Sequence, residues 1–131
     1  MTIYVCLDDR DGMLFNHRRQ SRDIAVLQDL GQPVYIDAFS EKLFLSSKIP
    51  YRLAPEGLEQ IPEEGGFFME DREPESVLPL ADKVAIYRWN RHYPGDFYWN
   101  VDLKEWGFTM ESQCEFPGKS HETITREVYV K

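Results

Sequence analysis

The order in which strand and helix signals follow one another in the first third of the chain restricts the fold more than any other feature. Residues 2–7 (Thr-Ile-Tyr-Val-Cys-Leu) are short, apolar and partly β-branched, and the turn formers Asp8-Asp9-Arg10-Asp11-Gly12 stop them, so they read as a buried strand and a loop. Ser21 then offers a helix cap, with Asp23 in the first turn and Ile24, Leu27 and Leu30 on an apolar side before Gly31-Gln32-Pro33. Residues 34–39 resume the strand pattern, and Ser40 opens a second helical stretch over 40–45. Parallel strands need a crossover to bring the chain back to the same end of a sheet, so this alternation predicts an α/β fold with a parallel sheet covered by helices.

The later chain is expected to extend that sheet. A helix near Pro55 is followed by an acidic stretch, residues 63–76, in which Phe67-Phe68-Met69 suits one short strand. A helical turn over 77–82 precedes residues 83–89, the clearest later strand, which the turn Tyr93-Pro94-Gly95-Asp96 separates from two further strands at 97–103 and 106–116. Those two suit antiparallel partners at the sheet edge. Ser120 is expected to cap a final helix, with Glu122 near its positive end and Ile124, Thr125, Val128 and Tyr129 on one side. The expectation is a single domain over residues 1–131, because dividing 131 residues between two cores would leave each with too little buried surface.

The formal charge of −8 argues against a broad nucleic-acid surface, whose affinity comes from Lys and Arg releasing counterions. The cations are nevertheless concentrated: residues 17–22 and 83–92 each hold three Lys or Arg and no acid, which leaves nine for the rest of the chain against 23 acids. Two local cationic segments in an acidic chain suit a confined anionic ligand or a phosphate-bearing protein partner. An alternative is an inhibitory protein whose acidic residues 63–75 mimic a polyanion. The two cysteines, Cys6 and Cys114, lack Cys-x-x-Cys spacing and predict no disulfide framework. Asp8 and Asp9 interrupt the first apolar run too early for a signal peptide, and no stretch is long enough to cross a bilayer, so a cytoplasmic protein without membrane association is expected.

Four groups of residues could carry chemistry. Arg18, Arg19 and Arg22, with Asn16, Gln20 and Ser21, lie where the Ser21 helix would begin, and free N–H groups beside guanidinium forks can cradle a phosphate or carboxylate. The plainer alternative is a polar loop paired with Asp8, Asp9 or Asp11. Arg88, Trp89, Asn90 and Arg91 interleave cations with an aromatic ring at a strand end, as stacking sites for nucleotide rings do, although period two also allows Tyr87 and Trp89 to be core residues. His17, His92 and His121 could supply acid–base pairs for phosphodiester or RNA cleavage; their spacing matches no metal motif, and no cofactor motif is present. Gly118-Lys119-Ser120 matches the end of a phosphate-binding loop but lacks its upstream glycine, since position 113 is Gln. If the first and later strands are parallel, the Asp8–Asp11 turn and both cationic segments should meet at one sheet edge, where ligands bind in open α/β folds.

Two resemblances add to these readings. Residues 7–12, Leu-Asp-Asp-Arg-Asp-Gly, resemble the nucleophile loop of haloacid-dehalogenase-type phosphatases, which would make Asp9 and Asp11 nucleophile and acid–base; Met13 departs from that pattern, and no downstream Asp pair follows. The segments 12–16, 18–23, 87–91 with Tyr93-Pro94, and 120–125 are similar to those of a small bacterial family from anaerobic Firmicutes whose members often carry the name ribonuclease Z. The His-x-His-x-Asp-His zinc motif of that enzyme is missing here, so the resemblance implies no mechanism.

Overall fold

A computed structural model describes every residue except 25, 26, 28, 29, 31 and 32. The chain forms a seven-stranded sheet in the order β5-β4-β6-β1-β7-β10-β9. Its strands are β1 (Thr2–Leu7), β4 (Val34–Ile36), β5 (Tyr51–Leu53), β6 (Gly66–Phe68), β7 (Lys83–Arg88), β9 (Thr109–Phe116) and β10 (Ile124–Val130). The first five positions in that order run parallel, with β1 between β6 and β7. β10 and β9 then add antiparallel at the β7 edge. This is the mixed, mainly parallel α/β sheet with an antiparallel C-terminal edge that the strand order predicts.

Period-two alternation in β1 and β7 divides the core between the two sheet faces. Ile3, Val5, Leu7, Val84 and Ile86 pack with Phe67, Met69, Trp99 and Phe108 on one face. Cys6, Ala85, Tyr87 and Trp89 pack with Ile24, Ile36, Phe44 and Phe68 on the other. Tyr87 and Trp89 are therefore core residues of the second face, 2% and 4% exposed. The helices are short: α1 (Glu41–Leu45) and α2 (Pro74–Val77), the latter running into a 3-10 turn at Leu78–Leu80. Among the described residues, no helix is long and apolar enough to cross a membrane. Cys6 is buried and Cys114 exposed, and both are free thiols.

Four local expectations are corrected. Residues 124–130 form strand β10 where a helix was expected: Ile124, Thr125, Val128 and Val130 are β-branched, and a full antiparallel ladder to β7 outweighs the local cap signal at Ser120. Near Pro55 only a 3-10 turn forms, at Leu58–Gln60. Of the strand expected over 97–103, only β8 (Phe97–Tyr98) is present, and it joins β2 (Gly12–Phe15) and β3 (Arg18–Arg19) in a separate three-stranded sheet. The segment expected to lead into a helix N-terminus thus contains a hairpin. Asn16 and His17, with φ of 50° and 58°, form the two-residue turn between β2 and β3, the left-handed pair that matches strand twist. Residues 21–24 are not helical, and most of the expected Ser21 helix falls on residues outside those described.

Candidate functional site

The C-terminal ends of β1 and β7 are tied together through Asp8, which is 1% exposed. Its Oδ1 accepts from the Arg10 and Gly12 N–H groups at 2.9 and 2.7 Å, closing the turn after β1. Its Oδ2 accepts from Gln20 Nε2 at 3.3 Å and from the Tyr93 N–H at 3.1 Å. Gln20 also donates to the Pro94 carbonyl at 3.1 Å. A Cβ on Gly12 would lie 2.7 Å from Gln20 Nε2 and 2.9 Å from Asp8 Oδ1, so the absence of a side chain leaves room for this junction. The hairpin and the segment after β7 thereby converge on one carboxylate. Between them lies a cleft of about 480 Å3, lined by Phe15, Asn16, Arg18, Arg19, Gln20, Tyr93 and Pro94.

Behind Tyr93 runs a chain of polar groups that joins residues far apart in sequence. His121 Nδ1 and Asp23 Oδ2 are 2.9 Å apart, and His121 Nε2 lies 2.7 Å from the Tyr93 hydroxyl. With Nδ1–H donating to the carboxylate, Nε2 accepts from the phenol when the imidazole is neutral and donates to it when the imidazole is protonated. Burial pushes the Asp23 carboxyl pKa up, but the hydrogen bonds from His121 and from the Ser120 and Lys119 N–H groups outweigh it and leave it below its ordinary value. The Trp89 ring stacks on His121 with centroids 5.4 Å apart and planes within 6°, fixing the imidazole plane. The segment that matches the end of a phosphate-binding loop therefore points its Lys119 and Ser120 N–H groups at Asp23, at 3.3 and 2.9 Å.

The other sequence candidates fall into several environments. Arg19 lies beside the cleft but pairs with Glu70, through Nε to Oε2 at 2.9 Å and Nη2 to Oε1 at 3.1 Å, and Ser40 donates to the same carboxylate at 2.6 Å. Arg18 is exposed, and among the described residues no carboxylate lies within ion-pair distance of it. Arg22 donates to the Ser46 hydroxyl, and the Ser21 hydroxyl accepts from the Asp23 N–H. Arg88 pairs with Asp11 at 2.7 Å and Glu127 at 3.1 Å, beside a different cavity. Asn90 holds Thr125 Oγ1 and the Thr123 carbonyl, and the Arg91 guanidinium lies 5.9 Å from the centre of the Tyr93 ring. Asp9 is exposed and uses its N–H on the Arg91 carbonyl. His17 and His92 are exposed, so of the three histidines His121 alone is buried. Among the described residues, no group of three or more His, Cys, Asp or Glu is placed to hold a metal ion.

Sequence reading missed Tyr93, Asp23, Phe15 and Glu70 as site residues. Tyr93 carried a signal, since it ends the cation–aromatic segment. Asp23 carried none, because its partner His121 is 98 positions away.

The parallel run of strands with an antiparallel pair at one edge is the sheet of a dihydrofolate-reductase-like fold. In particular, the chain is similar to dihydrofolate reductase from Enterococcus faecalis, in a structure complexed with NADP(H) and RAB-propyl, with a TM-score of 0.65 and 8% identity over 98% of this chain and 94% of that one. At that identity the likeness concerns the fold. No protein-family model and no curated protein matches the sequence.

Proposed function

We propose that this protein binds a small anionic, nucleotide-like ligand in the cleft between the β2–β3 hairpin and Tyr93-Pro94. The observation that carries this reading is Arg18, a cation at the cleft with no carboxylate partner among the described residues, beside an Arg19 already held by Glu70. The volume of about 480 Å3 lies within the range of small-molecule sites. Phe15, 43% exposed, and Tyr93 offer ring faces for a flat base, while Arg18 supplies the fork that a phosphate or carboxylate accepts. The similar fold complexed with NADP(H) supports a nucleotide as the ligand class. Calorimetry and thermal unfolding with mononucleotides, dinucleotides and inorganic phosphate test it. At least one nucleotide should raise the melting temperature, and Arg18→Ala should weaken its binding about tenfold or more, the weight of a charge-assisted hydrogen bond. If no phosphorylated compound stabilises the protein, or the variant binds as the parent does, the reading fails.

The Asp23–His121–Tyr93 chain favours a second, enzymatic reading. Phosphodiester cleavage would then rest on His121 acting through Tyr93, with the phenol as the group that meets the ligand. Cleavage of a dinucleotide that persists in Tyr93→Phe and in His121→Ala would remove it.

A further inference from the structure

Another cavity shares no lining residue with the Arg18 cleft. It has a volume of about 410 Å3 and lies against the sheet face that carries Ile86 and Arg88, under the stretch from Trp99 to Met110. Its walls are apolar and aromatic: Trp99 and Phe108 are 2% and 1% exposed, with Ile86, Leu103 and Val101 beside them. One end is ionic. Arg88 donates from Nη1 to Asp11 Oδ1 at 2.7 Å and from Nε to Glu127 Oε1 at 3.1 Å, so a single guanidinium is shared between two carboxylates. Glu127 Oε1 also accepts from the Tyr129 hydroxyl at 3.1 Å. Among the described residues, Oδ2 of Asp11 and Oε2 of Glu127 have no hydrogen-bond partner, and neither atom is sealed from solvent.

At the ionic end Asp11 and Glu127 outweigh Arg88 by one negative charge, the exposed Asp102 and Lys104 cancel each other at the rim, and the remaining cation, Lys131, stands apart over the Phe108 ring. Titration directions agree. Burial raises the pKa of the Tyr129 phenol, and the Glu127 carboxylate raises it further. For Arg88, burial works against the charge, but the Asp11 hydrogen bond and the Glu127 charge more than offset it. The neighbouring carboxylates thus favour the protonated form of both groups. The aromatic wall also meets a cation, since the chain's own Lys131 Nζ lies 5.1 Å from the centre of the Phe108 ring. Asp11 and Asn100, which precedes the lining residue Val101, take left-handed φ of 61° and 40°, and the Trp99 N–H donates to the Asp11 carbonyl at 2.8 Å, which joins the turn after β1 to the far wall of the cavity.

We propose that this cavity is a second binding site, for a small organic cation with a flat apolar body, whose ammonium or amidinium group meets Asp11 and Glu127 while its ring lies along Val101 and Met110, over the buried Trp99 and Phe108. An anion is disfavoured because its approach to Arg88 passes two carboxylates that already hold the guanidinium.

The test uses three probes of one shape, phenethylamine, 2-phenylethanol and 3-phenylpropionate, in calorimetric titrations of the full chain, with quenching of tryptophan fluorescence as a second signal. Phenethylamine should bind about tenfold or more tighter than the alcohol, with the propionate weakest, as charge-assisted hydrogen bonds to one end require. Asp11→Asn and Glu127→Gln should each remove most of that difference, while Arg18→Ala should leave it unchanged. Equal binding of amine and alcohol, tighter binding of the propionate, or no binding by any probe overturns the proposal. Should Glu127→Gln fail to fold, the half-exposed Asp11 decides: a folded Asp11→Asn protein that still prefers the amine by the parent's margin overturns it too.

Discussion

Asp23→Ala should lower the stability of the fold by about 3–5 kcal/mol, because several buried donors lose their one acceptor at about 1–3 kcal/mol each. The carboxylate is fully buried and accepts from His121, from the Ser120 and Lys119 N–H groups and from the Ser120 hydroxyl. Alanine would leave His121 Nδ1 and two backbone donors without an acceptor, each costing about 1–3 kcal/mol if it stays buried. Urea unfolding followed by circular dichroism should show the midpoint moving down with an unchanged slope. The pH dependence has a definite sign. Because the folded-state pKa of Asp23 is depressed, its contribution is complete above the unfolded-chain value of about 3.9 and disappears as pH falls through the lower folded value. The part of the gap that comes from the Asp23 charge should therefore be complete above about pH 5 and close at more acid pH. A gap that is unchanged at pH 3, or under 1 kcal/mol at pH 7, would contradict this account of about 3–5 kcal/mol.

Glu70→Ala should have an effect of similar size, about 3 kcal/mol or more, because it strands a cation. The Arg19 side chain is 15% exposed and holds Glu70 by two bonds, and the Ser40 hydroxyl, itself buried, donates to the same carboxylate. Arg19 Nη2 would keep only the Phe39 carbonyl at 3.2 Å. A sharper expectation concerns the pair: Arg19→Met with Glu70→Leu should recover most of the loss, since apolar groups of similar volume do without the desolvation that both charges demand. A double variant as unstable as Glu70→Ala would show that the pair contributes more than mutual neutralisation. Nucleotide binding should persist in the double variant, because the ligand is held by Arg18 and Arg19 is taken up by Glu70.

The legible parts of the fold share one property, a local pattern that agrees with its tertiary use. Residues 2–7 and 83–89 read as strands because their centres are runs of β-branched and apolar residues, as strands buried on both faces require, and the structure ends the second at Arg88. The final segment did not read correctly, because Ser120 and Glu122 imitate a helix start while β10 draws its stability from pairing with β7 and β9. The hairpin at 12–19 was hidden for another reason. Its turn is Asn16-His17, which supplies two left-handed residues without the glycine that usually marks such a turn.

The candidate site divides in the same way. Residues 17–22 and 88–92 stood out as cationic, and the parallel relation of β1 and β7 brings both to the turn at Asp8. Which of those cations remain available was not legible. Arg19 and Arg88 look like Arg18 in the chain, yet carboxylates 51, 77 and 39 positions away hold them, whereas none holds Arg18 among the described residues.

By itself, then, the sequence determined the strand order that leads to a mainly parallel sheet, the aromatic and aliphatic supply for two core faces, and the two places where positive charge gathers. These depend on neighbours along the chain, and period and composition record them. Only the tertiary structure decided that Asp8 would be a hub, that Asp23 would anchor His121 and Tyr93, that Arg18 would face a cleft without a carboxylate partner among the described residues, and that Arg88 would serve a cavity elsewhere. The physical reason is that a charge becomes a binding group or a structural one according to the partner within about 4 Å, the distance at which Coulomb attraction and hydrogen bonding act. In this fold those partners come from strands and loops distant in the chain, so the pairing is a property of the packed sheet.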